Sequence, residues 1–536
     1  MPSLQPYKGA SRKLVIALDV GTTYSGIAYA LLDPGEVPRI QGVTRFPGQE
    51  NAAGDSKIPS ILYYNQDGTV RAVGAEAALS HMSLNAVLEG WNYVEWFKLH
   101  LRPRALETRD DILKKLKPLP EGKTVVDVFA DFLAYLYNCA RKFITETHAN
   151  GQRLWASLED RIDFVLSHPN GWEGNQQTKM RSAAIQAGLI PDTKEDHGRI
   201  HFVTEGEASL HYCVQSGLVT EAVEQGHSVI VVDAGGGTVD LSTYKFEDMS
   251  PLSVEEVAVP DCIVQGSMSV NVRADRFLQD RLKSSPFGNE EDIQSMLENF
   301  EKSAKPIFKN AHEPSFIKFG SSSSSDPAVK IRRGQMTLAG SEVASFFQPS
   351  IEAIIDAVQK QRQEAPSSTP LRTVFLVGGF AASPWLFSQL NLSLQTLGLN
   401  LSRPDRHTNK AVAEGAISYY LNNWVAVRMT RLTYGIECSA HYDETDPEHY
   451  KRRAKVTTRP SGHLALSDHY SVILSKGTRV QQDQEMEESY VKEVEEPHAL
   501  NRIFCEIMAY RGRSKKPQWM DTEPGKYYKY PGFPSY

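Results

Sequence analysis

The chain opens with two apolar runs that flank a short polar turn. Residues 14–18 (LVIAL) are uninterruptedly apolar and lead into Asp19 and Gly21, and residues 27–32 (IAYALL) form the second run. A short apolar run that ends in an acidic residue and a glycine is typical of a buried strand entering a tight turn. The pattern therefore predicts a β-hairpin at the start of the folded chain.

The same pattern returns 214 residues later, in residues 229–244 (VIVVDAGGGTVDLSTY). Asp233 takes the place of Asp19, and Gly235 takes the place of Gly21, each between two predicted strands. Two similar units of this kind predict a duplicated α/β architecture. A third segment, 373–386 (TVFLVGGFAASPWL), predicts a strand that ends at a glycine pair, with Pro384 early in the following helix.

Helical periodicity and a change of composition indicate the remaining helices and the boundaries of the domains. A long amphipathic helix is predicted after Thr124, which can cap it together with Asp127, and further helices are predicted over 173–187, 341–361 and 411–420. Shorter alternating runs over 430–510 are typical of a small β-rich unit. We expect a flexible tail at 1–13, α/β lobes at 14–225 and 226–425, the β-rich unit at 426–510 and a second tail at 511–536.

Composition narrows the classes of function. The 536 residues are 41% hydrophobic and carry 58 Lys and Arg against 65 Asp and Glu, a net charge of −7 that gives no general attraction for nucleic acid. No apolar run approaches the length of about 20 residues that a membrane-spanning helix needs. The five cysteines are scattered without CxxC spacing, which indicates neither a disulfide framework nor a zinc site. We expect a cytoplasmic protein with no nucleic-acid and no membrane partner.

The segment from Asp233 to Asp240 carries the sharpest chemical signal. Between the two carboxylates lie Gly235, Gly236, Gly237 and Thr238. Glycines let the backbone approach a ligand closely and present N–H donors to it, and the threonine adds a hydroxyl. Because the carboxylates would repel a bare phosphate, the loop suits a phosphate only with a divalent cation or a lytic water between them. The alternative is a glycine-rich hairpin turn with two solvated acids.

The first turn (DVGTTYSG) and the third segment add two further candidate contacts. Asp19 would hold a hydrated cation, and the phosphate contacts would come from Gly21, Thr22, Thr23 and Tyr24. A polar hairpin turn explains this segment when it is taken alone, but the paired loop 214 residues later favours a phosphate site. Gly378, Gly379 and Phe380 open a predicted helix, whose N-terminus favours an anion or a nucleoside. Strand-to-helix packing is the alternative there.

These three segments, in this order and spacing, resemble the actin-like ATPase superfamily, and most closely the 70-kDa heat-shock chaperones. The tyrosine in GTTYS and the sequence GGGTVD favour the chaperones over sugar kinases and actins. The resemblance covers roughly residues 14–425 and continues faintly to about 480. It implies a divergent family member with an α/β fold of two actin-like lobes, each ribonuclease-H-like, followed by a small C-terminal β-rich extension.

The resemblance also implies roles for individual residues. Asp19, Asp233 and Asp240 would surround a magnesium ion held largely through waters, Glu205 would lie near the lytic water, and Lys98 would be the catalytic lysine. Glu301 and Lys305 lie where the family contacts adenosine. Taken from the residues alone, Glu205 also suits an exposed first-turn acid and Lys98 a snorkelling lysine. Glu301 and Lys305 likewise suit an i,i+4 pair on a helix surface.

Several positions depart from the family pattern. Ala381 and Ala382 stand where an arginine packs on adenine, and Asn409 replaces an acid. Gly266 is followed by Ser267 and Met268 where the family has a glycine and an acid. No acidic, leucine-rich linker is recognisable between residues 420 and 433, and the 106 residues from 431 to 536 are too few for a complete peptide-binding domain with a lid.

The sequence therefore predicts an ATP- and ADP-binding, chaperone-like protein with slow magnesium-dependent hydrolysis that switches lobe closure. Its expected partners are nucleotide, unfolded client proteins and co-chaperones. Two alternatives stay open. One is a small-molecule (sugar-type) kinase on the same fold, and the other is a non-catalytic nucleotide sensor or scaffold, which the two alanines near the adenine position favour.

Overall fold

A computed structural model of the chain describes residues 4–50, 57–103, 115–172, 174–219, 228–249, 252–404, 410–481, 484–501 and 505–529. The helices of these residues are α1 (Gly74–Ala77), α2 (Ser80–Glu89), α3 (Val125–Thr147), α4 (Gly151–Leu158), α5 (Gly174–Gln186), α6 (Glu205–Gln215), α7 (Ser267–Leu282), α8 (Glu290–Asn299), α9 (Lys305–Ile307), α10 (Gly340–Glu364), α11 (Pro384–Thr396), α12 (Ala411–Asn422) and α13 (Pro447–Lys451). A π-helical turn, Phe300–Ala304, joins α8 to α9. Across the described ranges, no helix is long and apolar enough to cross a membrane.

The strands fall into three stretches of the chain. The first stretch has β1 (Lys13–Asp19), β2 (Tyr24–Leu32), β3 (Gln41–Gly42), β4 (Lys57–Pro59), β5 (Ile61–Tyr64), β6 (Val70–Val73), β7 (Asn92–Glu95), β8 (Ile162–His168) and β9 (Ile200–Thr204). The second has β10 (Ser228–Ala234), β11 (Val239–Met249), β12 (Leu252–Glu256), β13 (Asp261–Ile263), β14 (Ser315–Lys318), β15 (Ile331–Arg332), β16 (Gln335–Leu338), β17 (Leu371–Val377) and β18 (Asn400–Ser402). The third has β19 (Val425–Met429), β20 (Thr433–His441), β21 (Val456–Thr458), β22 (Leu464–Leu474), β23 (Arg479–Gln481), β24 (Ile507–Tyr510) and β25 (Tyr527–Lys529).

Two large sheets repeat one arrangement of strands. In the first, β1 pairs antiparallel with β2 and parallel with β8, in the order β3-β2-β1-β8-β9. In the second, β10 pairs antiparallel with β11 and parallel with β17, within the order β18-β17-β10-β11-β12-β19-β23. Asp19 pairs with Gly26, and Asp233 pairs with Asp240, so the two hairpins also match in register. The hairpins predicted at the two Asp-Gly segments are confirmed.

Both faces of the central strands are buried, which explains their continuous apolar runs. In β1, Leu14, Ile16 and Leu18 belong to a core that includes residues of α3 and α5, whereas the alternate residues Val15 and Ala17 belong to a core that includes residues of α6 and α12. The residues of β10 alternate in the same way, with Ile230 and Val232 in one core and Val229 and Val231 in another. The carboxyl ends of β1 and β10, and the turns that follow them, are left free to form a site.

The C-terminal unit differs in two respects from the expected boundaries. Its sheet has the order β21-β22-β20-β24-β25, so the segment expected as a tail from residue 511 contributes β25, which pairs with β24. Trp519 in the same segment is buried. In addition, β19 and β23 belong to the second large sheet rather than to the small unit. Near the N-terminus, the backbone of Tyr7 is hydrogen-bonded to Glu36, and β1 begins at Lys13.

The long helix α3 begins with the cap that the sequence predicted. Thr124 Oγ1 accepts from the Asp127 backbone N–H at 3.2 Å, and Asp127 Oδ2 accepts from the Thr124 backbone N–H at 2.7 Å. This reciprocal pair satisfies two backbone donors that the first turn of a helix otherwise leaves open. Phe129 and Phe132, one and two turns further along, are fully buried against the first sheet.

We expect the substitution Thr124→Ala to lower the free energy of unfolding by about 1 kcal/mol, because it removes this cap. The matched control is Thr145→Ala in the last turns of the same helix, where Oγ1 bonds only to helix carbonyls and alanine is the better helix former. Urea titration of both variants measures the effect. An equal loss in the two variants would show that the cap does not stabilise α3.

Candidate functional site

A cavity of about 270 Å³ lies where the turns of the two hairpins meet. The predicted site residues that line it are Asp19, Gly21, Thr22, Thr23, Tyr24, Lys98, Glu205, Asp233, Gly235, Gly236, Gly237, Thr238, Glu301, Lys305, Gly378, Gly379 and Phe380. Asp240 is not part of the lining, since it is fully buried behind the cavity. The structure thus brings together segments that lie up to 361 residues apart in the chain.

The two turns pack directly against each other, and this contact requires glycine. A β-carbon on Gly236 would collide with Thr23 Oγ1, and one on Gly237 would lie 2.5 Å from Thr22 Oγ1. The first turn of α7 holds the glycine loop from its other side, where the Met268 backbone N–H donates to the Gly236 carbonyl at 2.9 Å. Gly236 and Gly237 therefore permit the close approach of the two loops, whereas a β-carbon on Gly235 would approach only its own loop.

Asp19 is a buried carboxylate that already has a cationic partner. Its Oδ2 accepts from Lys57 Nζ at 2.8 Å, and its Oδ1 accepts from Ser167 Oγ at 2.9 Å. Burial opposes the ionisation of Asp19, but the charges of Lys57 and Lys98 outweigh burial and lower its pKa. Asp19 is therefore held ionised at the end of β1.

Lys98 and Glu205 form a buried ion pair on the wall of the cavity. Lys98 Nζ lies 2.5 Å from Glu205 Oε1, and the Lys98 side chain is only 3% exposed. Burial lowers the pKa of Lys98, but the charges of Glu205 and Asp19 outweigh burial and raise it. Burial is also the first cause of the raised pKa of Glu205. The alternatives of a snorkelling lysine and an exposed first-turn acid are wrong, because Lys98 is buried and the Glu205 side chain is only 12% exposed.

Local structure explains how these two residues reach the cavity. Lys98 lies in a 3₁₀ turn, Phe97–Leu101, which is anchored by Phe97 against Phe129 and Phe132 of α3. Glu205 is the first residue of α6, and Thr204 caps that helix by accepting from the Glu207 backbone N–H at 3.2 Å. A capped helix that starts at the carboxyl end of β9 presents its first side chain at the edge of the sheet.

Asp233 and Asp240 are buried carboxylates for which the described structure contains no ion-pair partner. Burial and the charge of Glu205 raise the pKa of Asp233 to about 7 and that of Asp240 to about 8. Asp233 Oδ2 accepts from Ser209 Oγ at 2.7 Å, and Asp240 Oδ1 accepts from the Asn170 backbone N–H at 2.6 Å. Asp240 Oδ2 has no hydrogen-bond partner of acceptable geometry among the described residues. The raised pKa values mean that the lysines of the site do not compensate the charge that full ionisation of these two carboxyls would bring.

This charge distribution suits a divalent cation. A bound cation would lower the raised pKa values of the two carboxyl groups, and it would give the unpartnered carboxylate oxygen a partner. In the described ranges, however, no three acidic, histidine or cysteine side chains cluster closely enough to ligate a metal directly. A cation that keeps most of its water ligands, as magnesium commonly does, fits both observations.

Glu301 and Lys305 lie on the opposite wall, around the π-helical turn. Lys305 is buried, and its Nζ donates to Asn271 Oδ1 at 2.8 Å and to the Ser267 carbonyl at 3.3 Å. Glu301 Oε1 is 3.8 Å from Lys305 Nζ, and the Glu301 side chain is 42% exposed. Because Lys305 is buried, the two residues are not an ordinary ion pair on a helix surface. Glu301 is partly exposed and lines the cavity. π-Helical turns of this kind occur frequently at functional sites.

The third segment closes the remaining side of the cavity. Gly378 has a φ of +89°, and a β-carbon at this position would collide with Asp233 Oδ1, so only glycine fits. The chain then forms a 3₁₀ turn, Phe380–Ala382, before α11 begins at Pro384 with Ser383 as its cap. The expectation that the glycine pair directly opens a helix is corrected by this short turn. Ala382 is exposed to the cavity, whereas Ala381 is buried.

Four residues that hold the aspartates of the site were not predicted from the sequence. Lys57, Ser167 and Ser209 each contact a cavity aspartate, and Asn170 holds Asp240. Ser167 lies in the last residues of β8 and Asn170 just after it, so the end of this apolar run was the available signal. Nothing in the local sequence distinguishes Lys57 or Ser209. Asn409, the remaining predicted departure, lies outside the described residues.

Comparison with known proteins agrees with this arrangement. No protein-family profile matches the chain. It is 23% identical over 515 residues to heat shock 70 kDa protein 12B of Homo sapiens, an alignment that covers 81% of this chain and 72% of the relative. The chain is also 23% identical over 512 residues to heat shock 70 kDa protein 12A of Mus musculus and to that of Homo sapiens. Each of these alignments covers 80% of this chain and 73% of the relative. The resemblance carried by the three loops is confirmed, and the chain is a distant homologue of the 70-kDa heat-shock proteins.

Proposed function

We propose that the chain is a chaperone-like protein that binds ATP or ADP with magnesium between two actin-like lobes and hydrolyses ATP slowly. The observation that supports the proposal most strongly is the meeting of two matched hairpin turns, 214 residues apart, at one cavity. Each lobe would consist of one large sheet with its helices, which is the duplicated ribonuclease-H-like arrangement that the repeated strand order supports. The unbridged cysteines of the chain suit the cytoplasm as its place of action.

The two turns would bind the phosphates. Gly236, Gly237 and the threonines Thr22, Thr23 and Thr238 line the cavity, and their backbone N–H groups and hydroxyls would serve as donors. The Gly235 N–H already donates to the Thr238 carbonyl at 2.9 Å and so stabilises the loop itself. Several aligned donors around one anion stabilise negative charge without requiring a large movement of the chain. The adenosine would then extend between Lys305 and the Gly378–Ala382 segment, which line the other end of the cavity.

Asp19, Asp233 and Asp240 would hold the magnesium ion, mainly through its water ligands. When bound, the ion would neutralise charge on the phosphates and on the attacked phosphoryl group. The chain's own residues would supply the rest. Lys98 carries a fixed positive charge on the cavity wall, and Glu205, held by Lys98, would orient the attacking water. Both groups are buried, and charges act more strongly where water is excluded.

A continuous set of contacts would connect this site with the C-terminal unit. Glu205 begins α6, and two residues later Glu207 forms an ion pair with Arg428, at 2.5 Å between Oε1 and Nη2. Arg428 lies on β19, which pairs with β23 next to the C-terminal sheet. A change in lobe closure would thus reach the unit that we propose to contact unfolded client proteins and co-chaperones.

ATP should bind to the chain in a magnesium-dependent manner, because the buried carboxylates repel phosphate without a cation. Isothermal titration with ATP and with ADP, with magnesium and with excess chelator, measures this dependence. Binding of equal strength in excess chelator would contradict the cation role, and the absence of binding under all conditions would contradict the proposal as a whole.

The substitution Lys98→Met should lower the rate of ATP hydrolysis by about 10²-fold or more, since it removes a preorganised charge from the transition state. Affinity for ATP should change by less than about tenfold. Single-turnover hydrolysis and equilibrium binding are measured together, after a melting curve has verified folding. Lys302→Met is the matched control, because the Lys302 side chain is 75% exposed and lies outside the cavity lining. Unchanged turnover in Lys98→Met would contradict a catalytic role of Lys98, and the absence of turnover in the unsubstituted chain would favour a non-catalytic nucleotide sensor.

The substitution Ala382→Arg should strengthen ATP binding by about 2- to 30-fold, because a guanidinium stacked on the base contributes about 0.5–2 kcal/mol. Inorganic triphosphate is the control ligand, since it shares the charge of ATP but has no base to stack. The ratio of the two affinities should therefore rise in the variant. An unchanged ratio would show that the base does not lie beside Ala382.

A further inference from the structure

Cys438 lies on β20, and Cys505 lies two residues before the neighbouring strand β24, at the same end of this strand pair. The strands β20 and β24 pair antiparallel, with Thr433 opposite Tyr510 and Ile436 opposite Ile507. Continued by two residues, this register places Cys438 opposite Cys505. Directly opposite Cα atoms of an antiparallel pair are about 4.5–5.5 Å apart, and disulfides span about 4.4–6.8 Å between Cα atoms. The extended register would therefore bring the two thiols within bonding range.

The extended register would also place both thiols on one face of the sheet, and the neighbours of Cys438 identify that face. Cys438 Sγ lies 3.5 Å from Nδ1 of His469, its partner on β22. Two residues along β22, on the same face, Ser471 Oγ accepts a hydrogen bond from the Tyr490 hydroxyl at 3.1 Å. Burial raises the pKa of Tyr490, and the charges of Glu488, Cys438 and Cys505 raise it further, so both cysteines lie near this one phenol.

Accessibility separates this pair from the other cysteines of the chain. Cys139, Cys213 and Cys262 are buried in the cores, whereas Cys438 is half-buried and Cys505 is exposed. All five are free thiols in the structure. A small oxidant can therefore reach Cys505 first, with Cys438 beside it as the second thiol.

We propose that Cys438 and Cys505 form a reversible redox pair, which a low-molecular-weight disulfide such as oxidised glutathione converts into a cross-strand disulfide. The Cys505 thiolate attacks the glutathione disulfide, forms a mixed disulfide and releases one glutathione thiol. The Cys438 thiolate then attacks the Cys505 sulfur and releases the second glutathione thiol. Two protein thiols are oxidised, and one glutathione disulfide is reduced to two thiols, so electrons and protons balance.

His469 would assist the second step. Burial lowers the pKa of His469, so its ring is neutral at neutral pH, and Nδ1 can accept the proton of the Cys438 thiol. Its ring also packs edge-on against Trp519, with 5.1 Å between centroids, which fixes its orientation. The resulting bond would tie β20 to the residues that precede β24 and so close a long loop, a constraint that stabilises the folded state.

The test uses the full chain, incubated with oxidised glutathione, alkylated and digested without reduction. Mass spectrometry should find one intramolecular link between the Cys438 and Cys505 peptides, and denaturing titration should show the loss of two of the five thiols. Dithiothreitol should restore both thiols, and the linked protein should melt at a higher temperature than the reduced one. A glutathione adduct on Cys505 with Cys438 still free, or links only between molecules, would overturn the proposal.

Two variants sharpen the result. Cys505→Ser combined with Glu506→Cys moves the thiol by one residue to the other face of the strand, and it should abolish the link to Cys438. His469→Phe keeps a ring against Trp519 but removes the proton acceptor, and it should cause the mixed disulfide to accumulate. Linking of equal yield in the shifted variant would show that the strand register does not bring the two thiols together.

Discussion

The contact between the turn after β1 and the turn after β10 sets the position of every group in the cavity. Thr22 and Thr23 pack on Gly237 and Gly236, with no space for a side chain between them. This contact brings the carboxyl ends of β1 and β10, which belong to two separate sheets, close together. Asp19 and Asp233 lie at these strand ends and are brought together with them. A substitution that adds a β-carbon to either glycine would separate the turns and open the cavity between the sheets.

The burial of charge is the second constraint on the site. Lys57 and Lys98 compensate Asp19 and Glu205, but Asp233 and Asp240 remain without a cationic partner in the described structure. Burying carboxylates costs free energy unless a charge or a hydrogen bond compensates them. A protein keeps such a cluster where a bound cation provides the compensation, which is why the electrostatics and the glycine loops support the same proposal.

Much of the fold could be predicted because its central elements have strong local signals. The two hairpins, the capped helix α3 and the strand before Gly378 each combine a clear hydrophobic pattern with residues that mark where the element begins or ends. The unit boundaries were less well predicted. The strands β19 and β23 are short, and only the pairing of β19 with β12 and of β23 with β19 assigns them to the second sheet. The strand β25 likewise depends on its pairing with β24, since its own sequence resembles a loose tail.

The sequence by itself determined the aspartate–glycine turns, because the close approach of neighbouring atoms leaves no space for a β-carbon at Gly21, Gly236 and Gly237. It also determined that the two hairpins are related, through the spacing of Asp19 and Asp233. Only the tertiary structure decided that Lys98 and Glu205 are buried partners, that Lys57 neutralises Asp19, and that Asp240 lies behind the cavity. The same holds for Cys438 and Cys505. Burial and pairing between distant residues depend on how the elements pack, and no local pattern along the chain encodes that packing.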